Sequence, residues 1–491
     1  MLEPVNVIYF LIVLFILYVF GVVIFLILDN RSPQATIAWI LVLTIFPVLG
    51  VLLYRFFGQG WKAFSKEYDL ARQELGGVLT PILGPLAARQ VELIDRIERE
   101  GRAAYKRKLL ELVRYNSSSM LTAGNEAEIL QDAREKYPRL LADVEQARHS
   151  IHMEYFIWQV DEFTDKVKEL LIQKAREGVE VRILYDAVGS FPTFPLHRRY
   201  LHELREGGVE ICAYLDFLSP LTIHTVSYRN HRKIAVIDGK IGYLGGMNMG
   251  QEQIDGGKHF DSWRDTHLRV VGEAALVLQA IFVTSWFNTT REKLDDECYF
   301  PPAETAGHFL PIQIITAGPD SQWAAIRQLY FLMVMAAEKH VYIQSPFFIP
   351  DESIAEALKA AALSGVEIKM MFAPRGTTYR TPYWAANTYF ADMARAGIRI
   401  FLYQKGYFHP KTISIDANVC SIGSANMDIR SFSLDYEANA VIYDSQVAKE
   451  LEADFRRDLE QCTEFSLEEY ESRNVLLRFR DSLSRLLSPL L

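Results

Sequence analysis

The feature that most limits what this chain can fold into is that nearly everything beyond residue 115 is written twice. Ala147–Asp161 (ARHSIHMEYFIWQVD) aligns with Ala337–Asp351 (AEKHVYIQSPFFIPD), each a helix end running into a short apolar strand. Gly178-Val-Glu-Val-Arg-Ile-Leu-Tyr matches Gly365-Val-Glu-Ile-Lys-Met-Met-Phe, in both cases a glycine stop followed by alternating apolar and charged residues. The same glycine-to-strand step recurs at Gly208-Val-Glu-Ile-Cys and Gly397-Ile-Arg-Ile-Phe. Self-similarity on this scale is a duplicated domain, and alternating helix and strand predict an α/β fold with a helix-covered sheet in each half. The halves are expected to divide near Arg114 and near Phe300, giving domains at 115–300 and 301–491, with Phe300-Pro-Pro-Ala-Glu-Thr-Ala-Gly307 as the connector. A chain of 491 residues has room for two such cores and an anchor.

The anchor is expected at residues 1–60. Val7–Leu28 and Ala35–Tyr54 are uncharged apolar runs separated by Asp29-Asn-Arg-Ser-Pro-Gln34, which predicts a transmembrane helical hairpin with spans at about 7–28 and 35–54. The first run is too long for a signal-peptide core, and Glu3 stands where a basic segment belongs. The short loop offers only Arg31, whereas Arg55, Lys62, Lys66 and Arg72 follow the second run. Both the N-terminus and the large C-terminal part are therefore expected in the cytoplasm, which places the protein in the inner (cytoplasmic) membrane as a multi-pass chain. Residues 61–114 are read as juxtamembrane linker helices; the cations between Arg89 and Arg114, with Leu93, Ile97, Leu109, Leu112 and Val113 among them, suit a helix on an anionic surface or a solvated linker. The tail Arg473–Leu491 has Leu476, Phe479, Leu483, Leu486 and Leu490 at helical spacing, an amphipathic helix for the membrane surface or the second domain.

The duplication delivers one triplet to equivalent places: His231, Lys233 and Asp238, then His409, Lys411 and Asp416, both as HxKxxxxD. Each begins a strand closed by a turn, so His and Lys two apart share a face while the Asp falls at the turn; all six are the candidate catalytic residues, Asp238 and Asp416 as supporting groups. A small-residue loop follows each time, Gly245-Gly-Met-Asn248 and Gly423-Ser-Ala-Asn426, whose Asn248, Ser424 and Asn426 are candidates for donating to phosphate oxygens. Asp265 and Glu437 lie further on in matched strands. A reactive imidazole needs a carboxylate on its other nitrogen, so Asp265 is expected to orient His231, and Glu437 to orient His409. The remaining histidines have no metal-ligand spacing, although His224 and His267 lie close to the motif strands in sequence. Cys212, Cys298, Cys420 and Cys462 form no zinc pattern and read as free thiols. A net charge of −9, with no basic stripe interleaved with aromatics, argues against nucleic acid as a partner.

These residues resemble the phospholipase D superfamily, in which HxKxxxxD followed by GS or GGxN occurs once in each of two halves. More narrowly the chain is similar to bacterial cardiolipin synthases. Ile45-Phe-Pro-Val-Leu-Gly50, Glu154-Tyr-Phe-Ile-Trp158, Trp263-Arg-Asp265, Asn426-Met-Asp-Ile-Arg-Ser-Phe432 and Arg485-Leu-Leu-Ser-Pro-Leu-Leu491 carry that likeness, and Leu434-Asp-Tyr-Glu437 departs from the usual Leu-Asn-x-Glu. The resemblance implies two tandem phospholipase D-like domains related by pseudo-two-fold symmetry, with one active site between them. It implies no cofactor or metal, and phosphatidyl transfer between two phosphatidylglycerol molecules through a phosphatidyl-histidine. His231 would be the nucleophile and His409 the acid and base. The motifs themselves suit water or another alcohol as acceptor equally well, and a silent membrane scaffold would be expected to have lost a motif residue. Phosphatidylglycerol and anionic membrane lipids are the expected partners; whether a homo-oligomer forms is left open.

Overall fold

The computed structural model describes residues 4–29, 33–58, 65–99, 105–191, 198–214, 227–303, 309–376 and 380–488. Six helices come first: α1 (Pro4–Leu28), α2 (Pro33–Ile45), α3 (Pro47–Phe57), α4 (Ser65–Ala88), α5 (Gln90–Arg99) and α6 (Tyr105–Ser117). The first apolar run forms one helix, as expected. The second does not. Proline has no N–H to continue a helix and its ring collides with the carbonyl four residues back. The helix therefore stops at Phe46 (φ −124°, ψ 71°) and restarts with Pro47 in its first turn. α3 then folds back along α2: the rings of Trp39 and Tyr54 are 5.1 Å apart, where a straight helix would separate the two residues by about 22 Å. The expected pair of spanning helices is thus one long helix and a short helical hairpin.

α5 and α6 also depart from expectation. Leu93, Ile97, Leu109 and Val113 are buried in the core of the second half, and Asn116 Nδ2 donates to Ala325 O at 3.2 Å. An apolar face with a protein surface available to it is better covered by that surface than by water or headgroups.

The strands follow as β1 (Leu121–Thr122), β2 (Asn125–Leu130), β3 (Ser150–Tyr155), β4 (Glu180–Asp186), β5 (Glu210–Tyr214), β6 (Lys233–Ile237), β7 (Ile241–Gly245), β8 (Trp263–Arg264) and β9 (His267–Gly272). In the second half they are β10 (Ile312–Ala317), β11 (His340–Ser345), β12 (Phe348–Ile349), β13 (Glu367–Phe372), β14 (Arg399–Tyr403), β15 (Tyr407–Phe408), β16 (Thr412–Ile415), β17 (Val419–Gly423), β18 (Met427–Asp428), β19 (Glu437–Ile442) and β20 (Cys462–Glu464). The first sheet runs β2-β9-β7-β6-β3-β4-β5. The second runs β1-β10-β19-β17-β16-β11-β13-β14-β20, the same order with one strand added at each edge. β3, β4 and β5 are parallel and β6, β7, β9 and β2 antiparallel, a mixed sheet.

The sheets pack against each other, and the period of two in their strands arranges it. On β6, Ile234 and Val236 enter the core shared with Ile422, Ala438, Ala440 and Ile442 of the other sheet. Ala235 and Ile237, between and after them, enter the separate core of the first half. At the C-terminus the helix Val475–Leu486 turns its polar side inward: Asp481 is buried and accepts from Asn387 Nδ2 at 3.2 Å, while Leu476, Phe479, Leu483 and Leu486 are exposed. All four cysteines are free thiols, and only Cys420 is fully buried.

Candidate active site

Each motif histidine stands just ahead of a central strand rather than within it. Lys233 is the first residue of β6, and Lys411 immediately precedes β16. Both lysines are buried and fold back on their own motif: Lys233 Nζ donates to His231 O at 2.6 Å and Lys411 Nζ to His409 O at 2.5 Å.

What precedes each strand is zipped to the opposite half. β15 pairs in parallel with β8, and His409 N donates to Arg264 O at 2.8 Å. Asn230 bridges Tyr436, and His231 N donates to Tyr436 O at 2.9 Å. The residue after Arg264 is Asp265, and the residue after Tyr436 is Glu437, so the ladders carry each acid across the interface. His231 Nδ1 meets Glu437 Oε1 at 2.9 Å, and His409 Nδ1 meets Asp265 Oδ2 at 2.7 Å. This reverses the expected pairing: each histidine is oriented by the acid of the other half. The arginines close to these acids in sequence have partners of their own. Arg264 pairs with Asp458 at 2.8 Å, and Arg430 with Asp435 at 3.1 Å, which gives the unusual Asp435 a partner of its own.

Burial and charge act together here. Burial raises the Asp265 carboxyl, but Lys411 and His409 outweigh it and hold it below its ordinary value. Glu437 is lowered against burial by His231 and Lys233 in the same way. Both acids are therefore anionic, and each takes the Nδ1 hydrogen of its imidazole, leaving Nε2 with a free lone pair. Burial lowers His231 below its usual value, with Glu437 opposing. Burial and the adjacent Lys411 ammonium push His409 down to about 3. Lys411 itself is lowered by burial to about 8, with Asp265 and Glu437 opposing.

The small-residue loops serve the acids as much as any substrate. A Cβ on Gly246 would fall 2.1 Å from Asp265 Oδ1, so only glycine lets that carboxylate approach. At the matching place Ser424 Oγ donates to Glu437 Oε2 and accepts from Ala438 N, so its hydroxyl is already engaged. Asn248 Oδ1 accepts from Ile157 N at 3.1 Å, which leaves its amide Nδ2 hydrogens to donate. Asn426 Oδ1 is buried without a hydrogen-bond partner.

Asp238 and Asp416 are not among the groups around the imidazoles. Each sits in a turn at positive φ, 52° and 53°. Asp238 accepts from the backbone of Arg148, His149 and Ser150 at 2.7–2.9 Å, and Asp416 from Glu338, Lys339 and His340 at 2.8–2.9 Å. They tie the far end of the motif strand to the start of β3 and β11.

A family model described as "Cardiolipin synthase, PLD-like domain" matches residues 140–261 and 331–459, and one described as "Phospholipase_D-nuclease N-terminal" matches residues 13–59. A cardiolipin synthase of Listeria monocytogenes serotype 4b is 38% identical over 488 residues, 98% of this chain and 99% of its own. The chain belongs to the cardiolipin synthase family of the phospholipase D superfamily. Another member, the cardiolipin synthase of Geobacillus kaustophilus, is 38% identical over 468 residues, covering 94% of this chain and 90% of its own. Among solved structures, a phosphatidylserine synthase of Haemophilus influenzae Rd KW20 shares the fold at a TM-score of 0.60 and 13% identity, over 79% of this chain and all of that one.

Several residues of this cardiolipin synthase-type site escape sequence reasoning. Ser431 Oγ donates to Glu437 Oε1 at 2.7 Å, and Asn230 Nδ2 to the buried Glu154 Oε1 at 2.6 Å. Lys136 is fully buried, donates to Met247 O at 3.1 Å and is lowered by burial to about 7. Met247 N lies 3.4 Å from His267 Nδ1, so this histidine supports the loop. Ser431 and Glu154 lie inside segments that carry the family likeness, and nothing in the sequence around Lys136 sets it apart. His224 lies outside the described residues.

Proposed function

We propose that this protein is a cardiolipin synthase, a phospholipid transferase that joins two phosphatidylglycerol molecules into cardiolipin and releases glycerol. The observation that carries the reading is the crossed pair of carboxylate-held imidazoles, which supports one site between the halves shared by both histidines and both lysines. His231 Nε2 attacks phosphorus; the bond from phosphorus to the glycerol oxygen breaks, and that oxygen takes a proton from His409 Nε2. The glycerol hydroxyl of a second phosphatidylglycerol then returns a proton to His409 and displaces His231 from phosphorus. Lys233 and Lys411 balance the charge that develops on the non-bridging oxygens, with Asn248 Nδ2 as a further donor. His409 is hard to protonate while Lys411 stands 2.9 Å from its ring. A phosphate that draws Lys411 to its oxygens would relieve this and arm His409 as the acid.

The first half runs from β2 to about residue 300 and the second is 301–491, with β1 added to the second sheet from ahead of the first half; a pseudo-two-fold between them is supported by their common strand order and reciprocal His–acid pairs. The apolar N-terminal helix holds the protein at the bacterial cytoplasmic membrane, and the cations after residue 54 favour catalytic halves on the cytoplasmic side. Purified protein incubated with labelled phosphatidylglycerol should give cardiolipin and glycerol in equal amounts. Phosphatidic acid as the main product would make it a hydrolase instead.

A further inference from the structure

We infer that α2 and α3 form a re-entrant hairpin beside a single spanning helix, so that the residues ahead of α1 and the catalytic halves lie on opposite sides of the membrane. The inference rests on the membrane attachment proposed above but not on the reaction.

Length is the first argument. α1 has 25 residues, about 37 Å of helix, which exceeds the roughly 30 Å of a hydrocarbon core. α2 and α3 have 13 and 11 residues, about 20 and 17 Å, and neither can cross. Contacts fix how they lie. Tyr18, near the middle of α1, reaches Leu43 and Pro47 at the turn, while Phe25, toward the end of α1, meets Tyr54 at 5.9 Å. α2 therefore descends against α1 to mid-depth and α3 climbs back beside it, returning the chain to the level of Leu28.

A turn at that depth must satisfy its own backbone. Pro47 lacks the N–H that would bond the Leu43 carbonyl, and Tyr18 Oη supplies the missing donor at 3.1 Å. Gly50 lets the two arms meet, since a Cβ there would fall 2.7 Å from Val42 O. Apolar side chains cover the outside: Phe20, Leu28 and Val48 are exposed at 63%, 74% and 80%, as lipid-facing residues would be.

Charge agrees. With a re-entrant hairpin, Arg31 lies on the same side as Arg55, Lys62, Lys66 and Arg72, and only Glu3 lies opposite. Two full spans would leave Arg31 stranded on the side that cations avoid. The hairpin then occupies only the leaflet facing the catalytic halves.

The test uses the full-length protein with one epitope ahead of Met1 and another after Leu491, each version first checked for conversion of phosphatidylglycerol. Protease added to spheroplasts should remove the first epitope and spare the second until the membrane is permeabilised. The Ser32→Cys protein should react with a membrane-impermeant maleimide at least tenfold more after permeabilisation, above the background of the four native thiols. Two epitopes on the same side, or full labelling of the Ser32→Cys protein in intact cells, would overturn the inference. An N-terminal epitope inside with the C-terminal one outside would keep the hairpin and overturn the cytoplasmic placement instead.

Discussion

His231 and Glu437 come from opposite halves of the chain, yet Nδ1 of one lies 2.9 Å from Oε1 of the other. Neither motif histidine therefore has its carboxylate partner in its own half. Glu437→Gln should lower the rate at which His231 becomes phosphatidylated by about 10³- to 10⁴-fold, as loss of a tautomer-fixing carboxylate does elsewhere. In double mutants Glu437→Gln should add little to His231→Ala, whereas Asp265→Asn should couple to His409→Ala. Coupling in the uncrossed sense would contradict the geometry.

The two histidines should part company on a substrate whose leaving group needs no proton. With a nitrophenyl phosphodiester lipid, His409→Ala should still release nitrophenol and accumulate phosphatidyl on His231. His231→Ala should do neither. An adduct trapped on His409 would reverse the roles.

Positive charge around phosphorus is assigned to Lys233 and Lys411, which are buried at the site and feel the charge of its acids. Transfer activity should survive strong chelators, and Lys411→Met should reduce it at least 100-fold. Full loss on chelation, restored by one divalent ion, would move that role to a metal.

Stability should fall in acid through a histidine outside the reaction. His152 stacks on Phe282 at 4.6 Å and is lowered by burial from 6.5 to about 4. Between those values the unfolded chain binds a proton that the folded chain refuses, so stability declines as pH drops through that window, by about 2 kcal/mol at pH 5. His152→Phe should show a smaller drop in melting temperature between pH 7 and pH 5 than the parent. Equal drops would place the titration elsewhere.

Much of this was legible because the duplication carries its own alignment. Matching Gly178 with Gly365, and His231 with His409, anticipates two sheets of one strand order and the histidines, lysines and acids that meet between them. The pairing of acids was not legible: Asp265 follows His231 within one half, and sequence order says nothing about which sheet will present it. The β8–β15 ladder decides that, through backbone bonds that any side chains could make. The second apolar run hid its shape for a related reason. Hydropathy from Ala35 to Tyr54 is the same for a span and for a hairpin, and only Pro47 separates them, by ending α2 where the Tyr18 hydroxyl can donate to the freed carbonyl. Asp238 and Asp416 were legible as turn residues, since an aspartate seven beyond the histidine cannot share its face.

Ser424 gives the sharpest separation between holding a substrate and holding a residue. Its hydroxyl lies in a loop of the kind that cradles phosphate, but it is engaged by Glu437 and by Ala438 N. If it acted on phosphate, Ser424→Ala would chiefly raise KM for phosphatidylglycerol. Held as it is, its loss removes one of the hydrogen bonds that keep the Glu437 carboxylate anionic and aimed, and Ser431 and His231 remain to hold the other oxygen. KM should therefore change less than threefold while kcat falls about 10-fold, by roughly 1.4 kcal/mol of barrier. The acid limb of the pH profile should shift upward as well, because a carboxylate without the competing Ser424 donor interacts more strongly with the imidazolium it faces and raises its pKa. Ser424→Gly should behave like the alanine variant, and Ser424→Thr should recover most of the rate if its hydroxyl reaches the same oxygen. A tenfold rise in KM with an unchanged acid limb would return Ser424 to the phosphate.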